Sequence, residues 1–213
     1  KANIVDVLAR EARRSLRRGV VGISTLTDAY QAIESSRSLT GRCLGILLGS
    51  GFKVAIQTKS DLVLRDIEML AKHPGEVSVG VTITTLDRDV ARQIEPGAAD
   101  PGRRVEVLSR MGAAGLGTWA FIGPILPHIT DDGLDEILDV AQSLRVGEVL
   151  LDRLNMRPGV WPSMAAFLER HYPELLPKYE EIFFGASNFY TSLKERIGAE
   201  AAARGLKYSF CWD

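Results

Sequence analysis

The chain has 213 residues, a hydrophobic content of 46% and a formal net charge of −1. A chain of this length fits one domain with a sizeable core, and its near-neutral charge argues against bulk electrostatic binding to nucleic acid. It has no apolar run of about 18 residues for a membrane span, no visible signal peptide and only two cysteines, Cys43 and Cys211, so we expect a cytoplasmic protein without a disulfide framework.

A short apolar run followed by a helical pattern occurs five times, at intervals of roughly 25 to 30 residues. The predicted strands are residues 20–23, 52–56, 77–85, 118–122 and 147–151, with a possible edge strand at 206–211. The predicted helices are residues 4–18, 37–48, 62–71, 87–92, 103–114, 133–144, 164–171, 173–184 and 188–204. This alternation predicts a parallel sheet, either open and doubly wound or part of a (β/α) barrel. No GxGxxG follows the first strand, which argues against a Rossmann dinucleotide site.

Polar side chains follow each predicted strand. Because the carboxyl ends of parallel strands share one face, we expect these side chains to gather there. They are Ser24, Thr25, Thr27, Asp28, Thr58, Lys59, Ser60, Thr82, Thr84, Thr85, Thr130, Asp152, Asn155 and Arg157. Such a set suits a ligand with an amino group, a carboxylate and a sugar.

Within this set, Lys59 or Arg103 would pair with a carboxylate, and Asp28 with an ammonium group. Glu95 or Asp152 would bind sugar hydroxyls. Lys59 has two other interpretations, a solvated turn lysine and a Schiff-base nucleophile.

Other kinds of catalytic site have little support in the sequence. His73, His128 and His171 are isolated, and no metal-binding triad has recognisable spacing. No nucleophile-elbow motif is present to carry a Ser-His-Asp triad. Cys43 is interpreted as a small core residue.

Five segments in the chain resemble one family, and they occur in the family's order. They are TDAYQAIE (27–34), IQTKSDLVLRDIEML (56–70), VGVTITTLDRDVARQIEPGA (79–98), FIGPILPHITDDGLDEIL (121–138) and LDRLNMRPG (151–159). They resemble the spore-photoproduct-lyase-like proteins of the radical S-adenosylmethionine superfamily, often labelled DNA repair photolyases. The similarity runs from Asn3 to about Gly159.

The resemblance implies a partial parallel (β/α)6 TIM-like barrel with S-adenosylmethionine and a [4Fe–4S] cluster as cofactors. In the family, a CxxxCxxC loop after the first strand holds the cluster. That motif is absent here, and Cys43 and Cys211 lie on other elements. We therefore expect the first strand and cluster loop to precede Lys1, and this chain alone to be inactive; the alternative is a degenerate member. The expected division is a core over residues 1–160 and a helical extension over 161–213 that packs on it.

The resemblance also implies roles for individual residues. Lys59 resembles the lysine that contacts the cosubstrate carboxylate, and Thr27 and Asp28 take the positions that contact its methionyl end. Thr84 or Thr85 resembles the hydroxyl at the ribose, with Glu95 and Arg103 as further cofactor-binding candidates. The backbone at 122–124 would lie against adenine.

One position departs from the family pattern. Spore photoproduct lyase has a hydrogen-donating cysteine where this chain has Thr25, and a hydroxyl is a far poorer hydrogen-atom donor than a thiol. The true lyase reaction is therefore not assigned, and no catalytic residue is named.

The sequence thus predicts a radical S-adenosylmethionine enzyme core that generates a 5′-deoxyadenosyl radical for hydrogen abstraction from an unknown substrate. Nucleic acid as substrate rests on the resemblance alone, and we expect a monomer without membrane contact. The alternatives are a cluster-free (β/α) barrel lyase with Lys59 as Schiff base, and a degenerate, non-catalytic ligand-binding module.

Overall fold

The computed structural model of the protein describes residues 3–23 and 27–213. The strands are β1 (Val20–Ile23), β2 (Lys53–Thr58), β3 (Val77–Thr82), β4 (Gly117–Ile125), β5 (Glu148–Arg153) and β6 (Tyr208–Phe210). The helices are α1 (Ile4–Arg14), α2 (Glu34–Arg37), α3 (Leu39–Gly49), α4 (Ile67–Leu70), α5 (Arg88–Ile94), α6 (Pro101–Ala113), α7 (Leu134–Ser143), α8 (Val160–His171), α9 (Leu176–Phe184) and α10 (Phe189–Ala203). Two 3₁₀ helices span Asp61–Asp66 and Pro173–Leu175.

The six strands form one sheet in chain order, β1 to β6, and each pairs with the next in parallel. The predicted α/β class is therefore confirmed: the sheet is open and parallel, as in a partial TIM-like barrel, and a helical segment follows β5. The predicted edge strand near the C-terminus is confirmed as β6, which pairs with β5. All six carboxyl ends consequently lie at the same edge of the sheet.

Apolar residues that alternate along the strands build the main core. In β2, Val54 and Ile56 are buried, and β3 is buried almost throughout because it lies inside the sheet. The main core also includes Leu193 and Ile197 of α10. A second, smaller core lies near the carboxyl ends of β4 and β5. Its buried members are Leu126, Leu154, Leu168, Leu175 and Tyr179.

Several element boundaries differ from the predictions. The first helix ends at Arg14 because Ser15 is extended, and residues 37–48 are divided by Ser38, which has a φ of 49°. The segment after Lys59 begins as a 3₁₀ helix at Asp61, one residue before the predicted start, and its N-cap is Ser60, whose hydroxyl accepts from the Leu62 amide at 3.3 Å. Strand β4 continues three residues past its predicted end at Ile122, through the cis Gly123–Pro124 peptide.

Two further observations bear on the sequence predictions. Ser24 and Thr25, the latter at the position of the family's hydrogen donor, lie outside the described residues. Among the residues that the structure describes, no helix is both long enough and apolar enough to cross a membrane.

Candidate ligand site at the carboxyl ends of the strands

A cavity of about 480 Å³ lies at the carboxyl edge of the sheet. One wall comes from residues in or just after β2, β3, β4 and β5, and the facing wall comes from α8. Gly159, with a φ of 87°, lets the chain turn from the β5 loop into α8. The lining residues are Lys59, Thr84, Ile94, Glu95, Pro124, Leu126, Leu154, Gly159, Val160, Ser163, Met164 and Phe167.

Lys59 and Glu95, the charged lining residues of this cavity, belong to a network that continues to Arg104 behind the lining. Lys59 Nζ lies 2.5 Å from Glu95 Oε1, and Arg104 Nη1 lies 2.6 Å from Glu95 Oε2. The Thr84 hydroxyl donates to Glu95 Oε1 at 3.0 Å. One carboxylate therefore joins the end of β2, the end of β3 and helix α6, and it orients Lys59 and Thr84 at the cavity.

The two cations control the charge of Glu95. Burial favours the protonated carboxyl, but the positive charges of Arg104 and Lys59 outweigh it and lower the pKa of Glu95 below its ordinary value. Glu95 is therefore an anion at neutral pH.

Arg104, which the sequence reasoning did not select, is the innermost member of the network. Its side chain is 2% exposed, and besides Glu95 it donates to the Ala99 carbonyl at 2.7 Å and the Thr82 carbonyl at 3.2 Å. A spacing signal could have found it, because Arg104 precedes the buried Val107, Leu108 and Met111 by three, four and seven residues. A charge on the inward face of a helix indicates a buried ion pair.

Asp28 contacts the backbone of Lys59. Asp28 accepts from the Lys59 amide at 2.7 Å, the Thr58 hydroxyl at 2.8 Å and the Tyr30 amide at 2.8 Å. Thr27 is exposed. Asp28 therefore fixes the backbone from which the Lys59 side chain extends.

The other predicted ligand contacts are distributed unevenly. Thr84 lines the cavity, whereas Thr85 is buried and accepts from the Asp87 amide at 3.1 Å. Arg103 lies on the exposed side of α6, where it pairs with Asp61 at 2.9 Å and with Glu106. The structure thus brings Lys59, Thr84 and Glu95 together and places Arg103 apart from them.

Asp152 is not among the lining residues of this cavity. It is the fifth residue of β5, and burial raises the pKa of its carboxyl above the ordinary value.

Lys59 also borders a second cavity, of about 510 Å³. This cavity lies on the α5–α6 loop side of the lysine and includes Asp28, Tyr30, Ser60 and Asp61 in its lining. Lys59, with 37% of its side chain exposed, therefore stands between the two cavities.

The described residues do not fit an iron–sulfur cluster. In the described ranges, 3–23 and 27–213, no group of three or more His, Cys, Asp or Glu side chains could hold a metal ion. Cys43 lies in α3 and Cys211 just after β6, and burial raises the pKa of both thiols, which disfavours the thiolate that a cluster requires.

The fold is shared with solved proteins of known chemistry. Spore photoproduct lyase complexed with dinucleoside spore photoproduct superposes with a TM-score of 0.59 at 15% identity, over 81% of this chain and 51% of the lyase. Streptococcus suis SuiB bound to S-adenosylmethionine superposes with a TM-score of 0.56 at 12% identity, over 80% of this chain and 35% of SuiB. At such low identities these similarities establish the fold alone.

Sequence comparison finds relatives, and their names state no activity. The chain is 31% identical over 218 residues to the uncharacterized protein Rv2578c of Mycobacterium tuberculosis, and covers 64% of it. It is 29% identical over 174 residues to the uncharacterized protein MJ0683 of Methanocaldococcus jannaschii, and covers 63% of it. The chain thus spans less than two thirds of the length of these relatives. No protein-family model matches it.

Proposed function

We propose that this chain is the S-adenosylmethionine-binding part of a radical S-adenosylmethionine enzyme of the spore-photoproduct-lyase-like type. The enzyme would cleave S-adenosylmethionine reductively to a 5′-deoxyadenosyl radical, which abstracts hydrogen from a substrate. The observation that carries the proposal is the Lys59–Glu95–Thr84 constellation at the carboxyl edge of a parallel sheet, beside a cavity of about 480 Å³. The shared fold with SuiB bound to S-adenosylmethionine supports it.

The donor set of the cavity fits this cosubstrate. Lys59 would bind the carboxylate, and Thr84 and Glu95 would bind ribose hydroxyls. The adenine would lie against Pro124 and the apolar lining residues. The cavity volume falls within the range of roughly 300 to 1,000 Å³ that is typical of small-molecule sites.

The iron–sulfur cluster would have to be held by residues outside the described ones. In enzymes of this class the cluster supplies the electron for cleavage. The part of the chain proposed here binds and orients the cosubstrate and encloses it under α8. Nucleic acid is proposed as the substrate on the family resemblance only.

The test uses the full-length gene product that contains this chain. It is reconstituted anaerobically with iron and sulfide, and the iron content, the S-adenosylmethionine affinity and 5′-deoxyadenosine formation with dithionite are measured. We expect about four irons per chain, and a loss of affinity of about tenfold or more in Lys59→Ala, because a hydrogen bond to a charged group is removed. The matched control is Lys53→Ala, an exposed lysine at the opposite end of the same strand, which should leave both readouts unchanged.

Three outcomes would displace this proposal. No iron and no 5′-deoxyadenosine from the wild-type protein would exclude the radical enzyme. Binding of S-adenosylmethionine without iron would indicate the non-catalytic module instead. Borohydride trapping of a carbonyl substrate on Lys59 would indicate the Schiff-base lyase; a Schiff-base lysine attacks as the free amine, whereas Lys59 is engaged by a carboxylate at 2.5 Å.

A further inference from the structure

The three charged residues of the Lys59–Glu95–Arg104 network are exposed to very different degrees. The side chain of Lys59 is 37% exposed, that of Glu95 is 10% exposed and that of Arg104 is 2% exposed. The network contains two cations and one anion, so it has one net positive charge. Because Lys59 is the most exposed of the three, a ligand meets this net positive charge at the Lys59 ammonium group.

Arg104 does not reach either cavity that Lys59 borders, although it lines a separate cavity of about 180 Å³ on the other side of Glu95. The Arg104 Nη1 donates to the Thr82 carbonyl and the Glu95 carboxylate, and its Nε donates to the Ala99 carbonyl. Arg104 therefore acts on a ligand held at Lys59 without touching it, through Glu95, the residue that both cations contact.

The net charge that a ligand meets at Lys59 depends on Arg104. Without Arg104, Lys59 and Glu95 form a neutral pair, and an arriving carboxylate meets the Glu95 anion as well as the ammonium group. With Arg104 behind Glu95, the carboxylate of Glu95 is already neutralised. In a partly buried site such a difference persists because solvent screens it weakly.

We propose that Arg104 is a positioning residue that neutralises Glu95 from the protein interior and so leaves the Lys59 ammonium charge available for a ligand carboxylate. This inference rests on the proposed function, in which Lys59 binds the carboxylate of S-adenosylmethionine. In this inference Arg104 touches no ligand, yet it sets the preference of the site for a ligand that carries a carboxylate.

The test compares two ligands that differ only in the carboxylate. They are S-adenosylmethionine and its decarboxylated analogue, which keeps the sulfonium and the amine. Isothermal titration calorimetry on the full-length gene product gives the ratio of the two dissociation constants for each variant. That ratio isolates the carboxylate contact from any general damage to the cavity.

We expect Arg104→Gln to weaken S-adenosylmethionine binding about tenfold and to leave the analogue unchanged. The double variant Glu95→Gln with Arg104→Gln removes one charge of each sign and restores the net positive charge at Lys59, so the wild-type ratio should return. Arg110→Gln is the matched control, an exposed arginine on the same helix, and should behave as wild type.

The outcomes separate this inference from the proposed function. If wild-type protein binds neither ligand, the proposed function fails and this inference fails with it. If Lys59→Ala loses the preference for the carboxylate ligand but Arg104→Gln keeps it, the proposed function stands and this inference is overturned. If Arg104→Gln weakens the binding of both ligands equally, the inference is also overturned, because an arginine that only maintains the structure would have that effect.

The double variant keeps the inference falsifiable if Arg104→Gln does not fold. It has no unpaired buried charge, so it escapes the largest cost of the single change. A wild-type ratio in the double variant supports the inference, and loss of the ratio overturns it.

Discussion

Both carboxylate oxygens of Asp28 accept hydrogen bonds from the protein itself. They bind the Tyr30 amide, the Thr58 hydroxyl and the Lys59 amide, all at 2.7 to 2.8 Å. These bonds hold the turn that follows β2, and the Lys59 side chain leaves the backbone at that turn. A role of Asp28 toward a ligand ammonium stays a prediction, and its structural role lies in fixing the base of Lys59.

Glu95 gives a pH-dependent prediction. Its pKa is lowered in the folded protein from the ordinary value of 4.5, so the stabilisation it contributes is fully present above that value and is lost as the pH falls through the folded-state pKa. Glu95→Gln does not titrate and leaves Arg104 without its carboxylate partner. We expect it to lower the free energy of unfolding by about 1–3 kcal/mol at neutral pH.

That difference from wild type should shrink once the pH falls below 4.5, as measured by urea unfolding between about pH 7 and pH 3. Glu180→Gln, at an exposed position on α9, is the control and should track wild type. A difference that stays constant over this range would show that the Glu95 charge does not contribute.

At the scale of elements, the pairing of β3 with β4 includes one unusually close contact. Gly80 pairs in register with Trp119, and a Cβ on Gly80 would lie 2.1 Å from Trp119 Cε2. Real Cβ atoms do not approach this closely, so the indole occupies the space that a side chain at residue 80 would need. The glycine is thus part of how β3 and β4 pack.

We therefore expect Gly80→Ala to destabilise the protein by about 1–3 kcal/mol, because the indole must move from its packed position. Urea unfolding followed by tryptophan fluorescence measures both the stability and the change around Trp119. The matched control is Gly117→Ala in β4, where a Cβ would have its nearest contact at 3.5 Å, an ordinary packing distance. Equal effects at the two glycines would contradict the steric explanation.

At the scale of the whole molecule, the C-terminal helices belong to two different cores. Leu193, Ile197 and Trp212 lie in the main core under the sheet, whereas α8 and α9 build the smaller core that also closes the ligand cavity. The predicted division at residues 160 and 161 stays a prediction. The shared main core argues that α10 and the sheet unfold together.

Single-tryptophan variants test that cooperativity. One keeps Trp119 in the sheet, through Trp161→Phe with Trp212→Phe, and the other keeps Trp212, through Trp119→Phe with Trp161→Phe. We expect each fluorescence midpoint in urea to coincide with that variant's own circular dichroism midpoint. If the Trp212 fluorescence midpoint lies at a lower urea concentration than the circular dichroism midpoint of that variant, the C-terminal segment unfolds as a separate unit.

The sequence by itself determined the main elements and the sheet edge at which the polar side chains gather. Apolar runs separated by helical patterns are local features, and they predicted the parallel strands and the position of Lys59 just after β2. The boundaries that failed, at Ser15, Ser38 and Ser60, depend on single backbone conformations and hydroxyl contacts that hydrophobic periodicity does not encode.

Only the tertiary structure decided which charges act together. Arg103 and Arg104 are adjacent in sequence, yet one projects toward solvent and the other reaches Glu95 beneath the site. The structure also decided that α8 closes the cavity over the strand ends. The physical reason is that an ion pair or a cavity wall depends on which elements pack side by side. Glu95 is nine residues from Arg104 and thirty-six residues from Lys59 in sequence, and these side chains meet only through that packing.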